Sequence, residues 1–265
     1  MSDLSPDEVQ AEAEALLERI TVPKRRVRPR LAEALRDAEE REIATAFGGV
    51  MAWRLGKGPA TLLVHGWEDD NCLWGALADK FREIGRAVVA LDLPGHGFSP
   101  ANDPSIASAS AAVRAVAEAM GPIDSIVAHS FGCPVSIFAM SDGLAVGRAA
   151  LIAPPSIKIA DRWKRVERRG VPPEIVARAA ALHAEREGPS PVVYDLEKAA
   201  GEMTAKALFV HSLDDEECPP ENSQTLKRLW PGAKLALADG LGHRLIAQDG
   251  ATLDRIVNFI EGFER

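Results

Sequence analysis

The chain has 265 residues, 46% apolar and 26% charged, with a formal net charge of −8. It is long enough to bury about three quarters of its unfolded surface without disulfide or metal staples. Its acidic balance disfavours nucleic acid as a partner, and no run approaches the roughly 18 uncharged apolar residues of a membrane span. The start, Met1-Ser2-Asp3-Leu4, lacks the basic and apolar regions of a secretion signal. Cys72, Cys133 and Cys218 stand far apart, which points to neither a disulfide framework nor a zinc cluster, so a reducing cytoplasm is expected.

Residues 5–20 read as a helix. Ser5 is the N-cap, Pro6 suits the first helical position and Glu8 completes a capping box. Val9, Ala13, Leu16, Leu17 and Ile20 form its apolar stripe. The segment Pro23-Lys24-Arg25-Arg26-Val27-Arg28-Pro29-Arg30 is densely basic and reads as a solvated turn. The acidic Glu39-Glu40-Arg41-Glu42 follows closely enough to neutralise it.

From Ile43 the pattern becomes β/α. Ile43–Phe47 and Val50–Leu55 predict a hairpin around Gly48-Gly49. Six short apolar strands follow, at Thr61–Val64, Ala87–Leu91, Ser125–Ala128, Ala149–Ile152, Ala207–Val210 and Leu235–Ala238. Continuous apolar runs of this length fit a parallel sheet covered on both faces. Three helices carry the 3.6-residue period: Leu73, Leu77, Phe81 and Ile84; Val113, Val116 and Met120; and Leu253, Ile256, Val257, Ile260 and Phe263. The fold class is therefore α/β, a mostly parallel doubly wound sheet entered through an antiparallel hairpin. Between Pro154 and Ala205 no strand is visible. Roughly fifty helical and loop residues between two strands read as an inserted lid or binding segment.

Ligands in open α/β sheets bind beyond the carboxyl ends of the strands. The strand ending at Ala128 runs into His129-Ser130-Phe131-Gly132-Cys133-Pro134 and then a helix. A serine on a sharp strand-to-helix turn needs small residues two positions to either side, because the two backbones approach there. Ala128 and Gly132 meet that need, although the usual first position is glycine. Ser130 is the candidate nucleophile. Two N–H donors must face a developing oxyanion. The Phe131 amide is one candidate; the other is Trp67, in His65-Gly66-Trp67 after an earlier strand. His65, Gly66 and His129 are expected to border the substrate pocket. His211-Ser212-Leu213-Asp214-Asp215 and Asp239-Gly240-Leu241-Gly242-His243 follow two later strands and supply a carboxylate and an imidazole. The chain order is serine, acid, histidine.

These segments make Ile43–Arg265 resemble the α/β-hydrolase-fold serine hydrolases of the compact bacterial esterase type. Leu91-Asp92-Leu93-Pro94-Gly95-His96-Gly97-Phe98-Ser99 resembles the loop after that family's fourth strand. Pro100 at the third glycine position argues against a dinucleotide loop there. The resemblance implies a catalytic triad of Ser130, Asp215 and His243, with Asp214 as the rival acid and a loop-orienting residue. It also implies a single domain over residues 1–265, a helical lid at 154–205 and an N-terminal helical extension at 1–41. The extension packs on either the sheet flank or the lid.

The expected activity is hydrolysis of a small-molecule ester through an acyl-enzyme, without cofactor or metal, rising with pH as His243 loses its proton near about 6.5. Alternatives keep the triad for acyl transfer or for carbon–carbon or amide hydrolysis, or keep only the fold as a binding protein. Dehalogenase and epoxide hydrolase relatives place Asp where Ser130 stands, and Tyr194 is the sole tyrosine. His65, His96, His129 and His211 are dispersed without ligand spacing. Cys133 reads as a buried helix residue, Trp74 as core, and Glu68-Asp69-Asp70 as a solvated loop that could otherwise favour a cationic substrate. The sequence leaves the oligomeric state open.

Overall fold

A computed structural model describes residues 4–25, 33–187 and 194–263. They fall into two compact units, one drawn from Met1–Lys24 and Ser156–Asp195, the other from Arg25–Pro155 and Leu196–Arg265. The chain runs through α1 (Pro6–Thr21), β1 (Glu39–Thr45), β2 (Gly48–Leu55), β3 (Ala60–Val64), α2 (Gly75–Glu83), β4 (Ala87–Leu91), α3 (Ile106–Met120), β5 (Ile123–His129), α4 (Gly132–Ser141) and β6 (Arg148–Ile152). It continues through α5 (Ile159–Arg168), α6 (Pro173–Glu187), α7 (Leu196–Gly201), β7 (Lys206–Ser212), α8 (Glu221–Leu229), β8 (Lys234–Ala238), α9 (Gly242–Leu245) and α10 (Gly250–Glu261).

The larger unit holds one eight-stranded sheet in the order β1-β2-β4-β3-β5-β6-β7-β8. β1 pairs antiparallel with β2 and β2 antiparallel with β4, and the remaining strands run parallel. β3 and β4 are buried at every residue, as sheets flanked by crossover helices require. A core of Trp53, Leu63, Leu77, Phe81, Val127, Val210, Leu253 and Ile256 joins α2 and α10 to the sheet. Because all the parallel strands point the same way, the ends of β3, β5, β7 and β8 open onto one edge, where the site is assembled.

The other unit is helical. Ser5 caps α1 through the expected reciprocal bonds with Glu8. Ala13, Leu16 and Leu17 pack with Val166, Ile175, Val176, Ala179 and Leu182 of α5 and α6. Of the two expected places for the N-terminal helix, the structure gives the inserted segment. Apolar stripes too short to form a core separately are buried against each other there. The unit is narrower than the 154–205 insertion read from the sequence, since α7 belongs with the sheet.

Several element ends differ from expectation. β1 begins at Glu39, inside the acidic stretch, so the strand region starts before residue 41. As an edge strand it keeps its charged side chains in water, while Glu40 accepts the Trp53 indole N–H at 2.8 Å. The hairpin turns at Ala46-Phe47, and Gly48, at φ +110°, already opens β2. Asn71–Trp74 forms a 3-10 turn before α2 rather than part of it, capped by Asp70, which accepts from the Cys72 amide at 2.9 Å. Asp69 and Asp70 are accordingly buried, not solvated. Phe263 lies beyond the left-handed Gly262 that ends α10 and is exposed. In the basic run, Arg25 donates to the Ser99 carbonyl and to Asn102 Oδ1, each at 2.8 Å; residues 26–30 lie outside the described residues.

Candidate active site

The turn from β5 into α4 carries Ser130 at φ +50°, a left-handed conformation that non-glycine residues rarely adopt. It is held on both sides. The Ser130 amide donates to the Ile152 carbonyl at 2.9 Å and its carbonyl accepts from the Cys133 amide at 2.8 Å. Gly132 is needed because a Cβ there would stand 2.4 Å from the Val64 carbonyl oxygen and 2.6 Å from that of His65. Gly66 is needed likewise, since its Cβ would fall 2.8 Å from that of Ser130. The departure at Ala128 is absorbed, as its methyl is fully buried in β5. Strain of this kind costs of order 1–3 kcal/mol and here lifts one hydroxyl off the sheet edge.

His243, in α9 after β8, accepts the Ser130 hydroxyl at Nε2 over 2.9 Å. Its Nδ1–H donates to Asp215 Oδ2 at 2.7 Å. Asp215 Oδ1 accepts from the Glu217 and Cys218 amides, each at 2.8 Å. Its side chain is fully buried, while Ser130 is half-buried. Burial opposes charge on Asp215, but the hydrogen bonds from His211 and His243 outweigh it and hold the carboxyl below the usual range. Burial lowers the His243 pKa, and the Asp215 carboxylate together with Cys218 more than offsets this, raising it above the usual 6.5.

Asp214 points elsewhere. Its carboxylate takes the Ser212 hydroxyl and, at 3.1 Å, the Gly242 amide, while Ser212 Oγ accepts the Leu241 amide at 3.2 Å. The acid-bearing and histidine-bearing loops are thereby tied in register.

The Trp67 and Phe131 rings meet edge to face with centroids 5.4 Å apart, which brings the loops after β3 and β5 together. Among the described residues neither of these two amides finds a protein acceptor. Behind Trp67 lies His96, 5.5 Å away, and then His65, 5.2 Å further. The loop after β4 is pinned by buried Asp92, which accepts the Asn71 amide at 2.7 Å and the Phe98 amide at 2.8 Å. Burial, the largest influence on Asp92, raises its pKa.

His65, Gly66 and His129, expected to border the pocket, are all buried, with Gly66 directly against Ser130. His65 donates from Nδ1 to the Gly66 carbonyl at 2.7 Å and accepts the Leu93 amide at Nε2 over 2.9 Å. His129 donates from Nε2 to the His243 carbonyl. His65 thus spends both ring nitrogens on backbone, whereas Nδ1 of His129 is buried without a hydrogen-bond partner among the described residues. His211 goes unrecognised in the sequence as a site residue, yet its Nε2 lies 3.2 Å from Asp215 Oδ2. Cys133 is a buried helix residue whose thiol donates to the Ile152 carbonyl at 3.3 Å. Trp74 is fully buried core. Among the described residues no group of three or more His, Cys, Asp or Glu is placed to hold a metal ion, and no helix is long and apolar enough to cross a membrane.

The fold is shared with solved structures. An esterase from Pyrococcus furiosus superposes with a TM-score of 0.70 at 17% identity, over 91% of this chain and 97% of the other. Esterase RhEst1 from a Rhodococcus species gives a TM-score of 0.63 at 19% identity, over 85% and 99%. In sequence, a 49-residue stretch, 17% of each chain, is 43% identical to the pimeloyl-[acyl-carrier protein] methyl ester esterase of Methylococcus capsulatus. An uncharacterised protein of Mycobacterium tuberculosis is 30% identical over 184 residues, 65% of this chain and 49% of the other. The chain thus spans about half or less of the length of the curated relatives it matches. A profile of the alpha/beta hydrolase family matches residues 61–259, most of the sheet unit and the insertion within it, and the chain belongs to that family.

Proposed function

We propose that this protein is a serine hydrolase that cleaves carboxylic esters of small molecules through an acyl-enzyme on Ser130. The observation that carries the reading is the unbroken relay from Ser130 Oγ to His243 Nε2 at 2.9 Å and from His243 Nδ1 to Asp215 Oδ2 at 2.7 Å, ending on a serine at φ +50°. The esterases among its structural neighbours and the methyl ester esterase matched over 49 residues agree with it.

In this mechanism Ser130 Oγ attacks the ester carbonyl carbon and its proton passes to His243 Nε2. Asp215 fixes the Nδ1–H tautomer and balances the imidazolium. The negative charge on the former carbonyl oxygen is met by the Trp67 and Phe131 amides, of residues whose rings meet edge to face. As the tetrahedral intermediate collapses, the proton moves from Nε2 to the departing alkoxide and the alcohol leaves. Water then attacks the acyl-enzyme, giving one proton to Nε2. That proton returns to Ser130 Oγ as the carboxylic acid is released.

A fluorophosphonate probe followed by nitrophenyl esters of increasing acyl length tests the reading. Labelling of Ser130 together with ester turnover is expected. Labelling without turnover would move the same triad to acyl transfer or to carbon–carbon or amide cleavage. An unlabelled protein would leave only a fold used for binding.

A further inference from the structure

His211, the last but one residue of β7, is fully buried, and the side chain of Asp215 beside it is buried too. Its ring has three polar neighbours. Nε2 is 2.8 Å from the Cys218 carbonyl and 3.2 Å from Asp215 Oδ2, and Nδ1 is 2.7 Å from Ser223 Oγ. A carbonyl oxygen can only accept, so the hydrogen sits on Nε2, and Nδ1 accepts from the Ser223 hydroxyl. One neutral tautomer therefore satisfies all three contacts, and it aims a forked N–H at Asp215 Oδ2. That oxygen is the one His243 Nδ1–H uses at 2.7 Å. The carboxylate thus receives four N–H groups, two backbone amides on Oδ1 and two imidazoles on Oδ2.

We infer that His211 is a positioning residue of the site: its Nε2–H fixes the rotation of the Asp215 carboxylate and shares Oδ2 with His243, limiting how strongly that carboxylate holds the His243 proton. The inference deepens the serine-hydrolase reading and rests on it. Ser223, in α8, locks the ring from its far side, so the acid loop is anchored to a helix as well as to a strand. A carboxylate with two donors on one oxygen divides its charge between them, so losing one donor strengthens the pull on the other. The groups facing the His243 ring are Asp215 and buried Cys218 from the loop after β7 and His129 from β5, and Arg244 beside it lies 3.8 Å from Glu217. Of these, a change at residue 211 reaches Asp215 and the Cys218 carbonyl, which His211 contacts directly, and it leaves the side chains of His129, Arg244 and Glu217 as they are.

The test compares His211→Gln with His211→Asn. A glutamine amide places an N–H where Nε2 stands; the shorter asparagine reaches only the Nδ1 position, keeping the Ser223 contact and losing Asp215. For His211→Asn we expect kcat on nitrophenyl esters to fall on the order of ten- to a hundredfold with little change in KM. The acid limb of the pH–rate profile should move to higher pH. For His211→Gln we expect most of the rate and the wild-type midpoint to return. Thermal unfolding of both variants checks folding, and a 15N spectrum of the wild type should show residue 211 protonated at Nε2. Equal loss in both variants, equal retention in both, or a rate loss with an unmoved midpoint would each overturn the inference. Failure of the hydrolase reading looks different: a wild type that the fluorophosphonate does not label.

Discussion

His129 donates its Nε2–H to the main-chain carbonyl of His243 at 2.9 Å across 114 positions of sequence, and the two rings lie 5.0 Å apart. The contact ties the nucleophile strand directly to the loop that carries the base. Burial, and the repulsion of a charged neighbour at His243, hold the His129 pKa down to about 3. His129 is therefore neutral across the working range and behaves as a fixed clamp. His243 is left as the imidazole of this pair that titrates.

The acid limb of kcat/KM should consequently lie above 6.5, correcting the value expected for an unperturbed imidazole. The sign follows from the mechanism. Only neutral His243 accepts the Ser130 proton, and Asp215 favours the charged form, so more alkaline pH is needed to free the base. Asp215→Asn should lower that midpoint and cut kcat by about 10³–10⁴. A midpoint at or below 6.5 in the wild type, read from a pH–rate profile on a nitrophenyl ester, would contradict this account.

Ser130→Ala should reduce turnover by about 10⁴–10⁶, equivalent to roughly 5–8 kcal/mol of barrier, and abolish fluorophosphonate labelling. Stability should change little, since Ser130 is half-buried and, among the described residues, its hydroxyl is hydrogen-bonded to His243. Turnover surviving intact would remove the nucleophile from the scheme.

Gly132→Ala puts a methyl 2.4 Å from the Val64 carbonyl, a backbone atom that cannot swing aside. We expect about 1–3 kcal/mol of lost stability by urea unfolding, with activity down on the order of 10²-fold as the serine shifts. Gly250→Ala serves as the control. Nothing lies within 4 Å of its added methyl, so its effect should stay within about 0.5 kcal/mol.

Leu17→Ala empties a fully packed position between α1 and α6. Large-to-small changes of this type cost about 2–5 kcal/mol. Hydrogen exchange should show that cost as faster opening of α1 and α6. The amides of β3 and β5 should keep their protection if the two units unfold separately.

Features that depend on near neighbours are readable from residue order. The Ser5–Glu8 capping box, the six apolar strand runs and the small residues around Ser130 each act within a few positions, so their meaning is readable in one dimension. The order of Ser130, Asp215 and His243 along successive strand ends was legible for the same reason, because a parallel sheet brings those ends to one edge. Which buried polar group serves which partner depends on contacts made in the folded chain. His65, His129 and His211 look alike in sequence, but one braces the loops after β3 and β4, one clamps the His243 carbonyl and one shares the Asp215 carboxylate. The pairing of α1 with a segment some 150 residues later was likewise closed to sequence, because an apolar stripe says that it must be covered and not by what. Buried hydrogen bonds and packed faces are settled by which atoms are adjacent in space, and that adjacency exists only once the whole chain has folded.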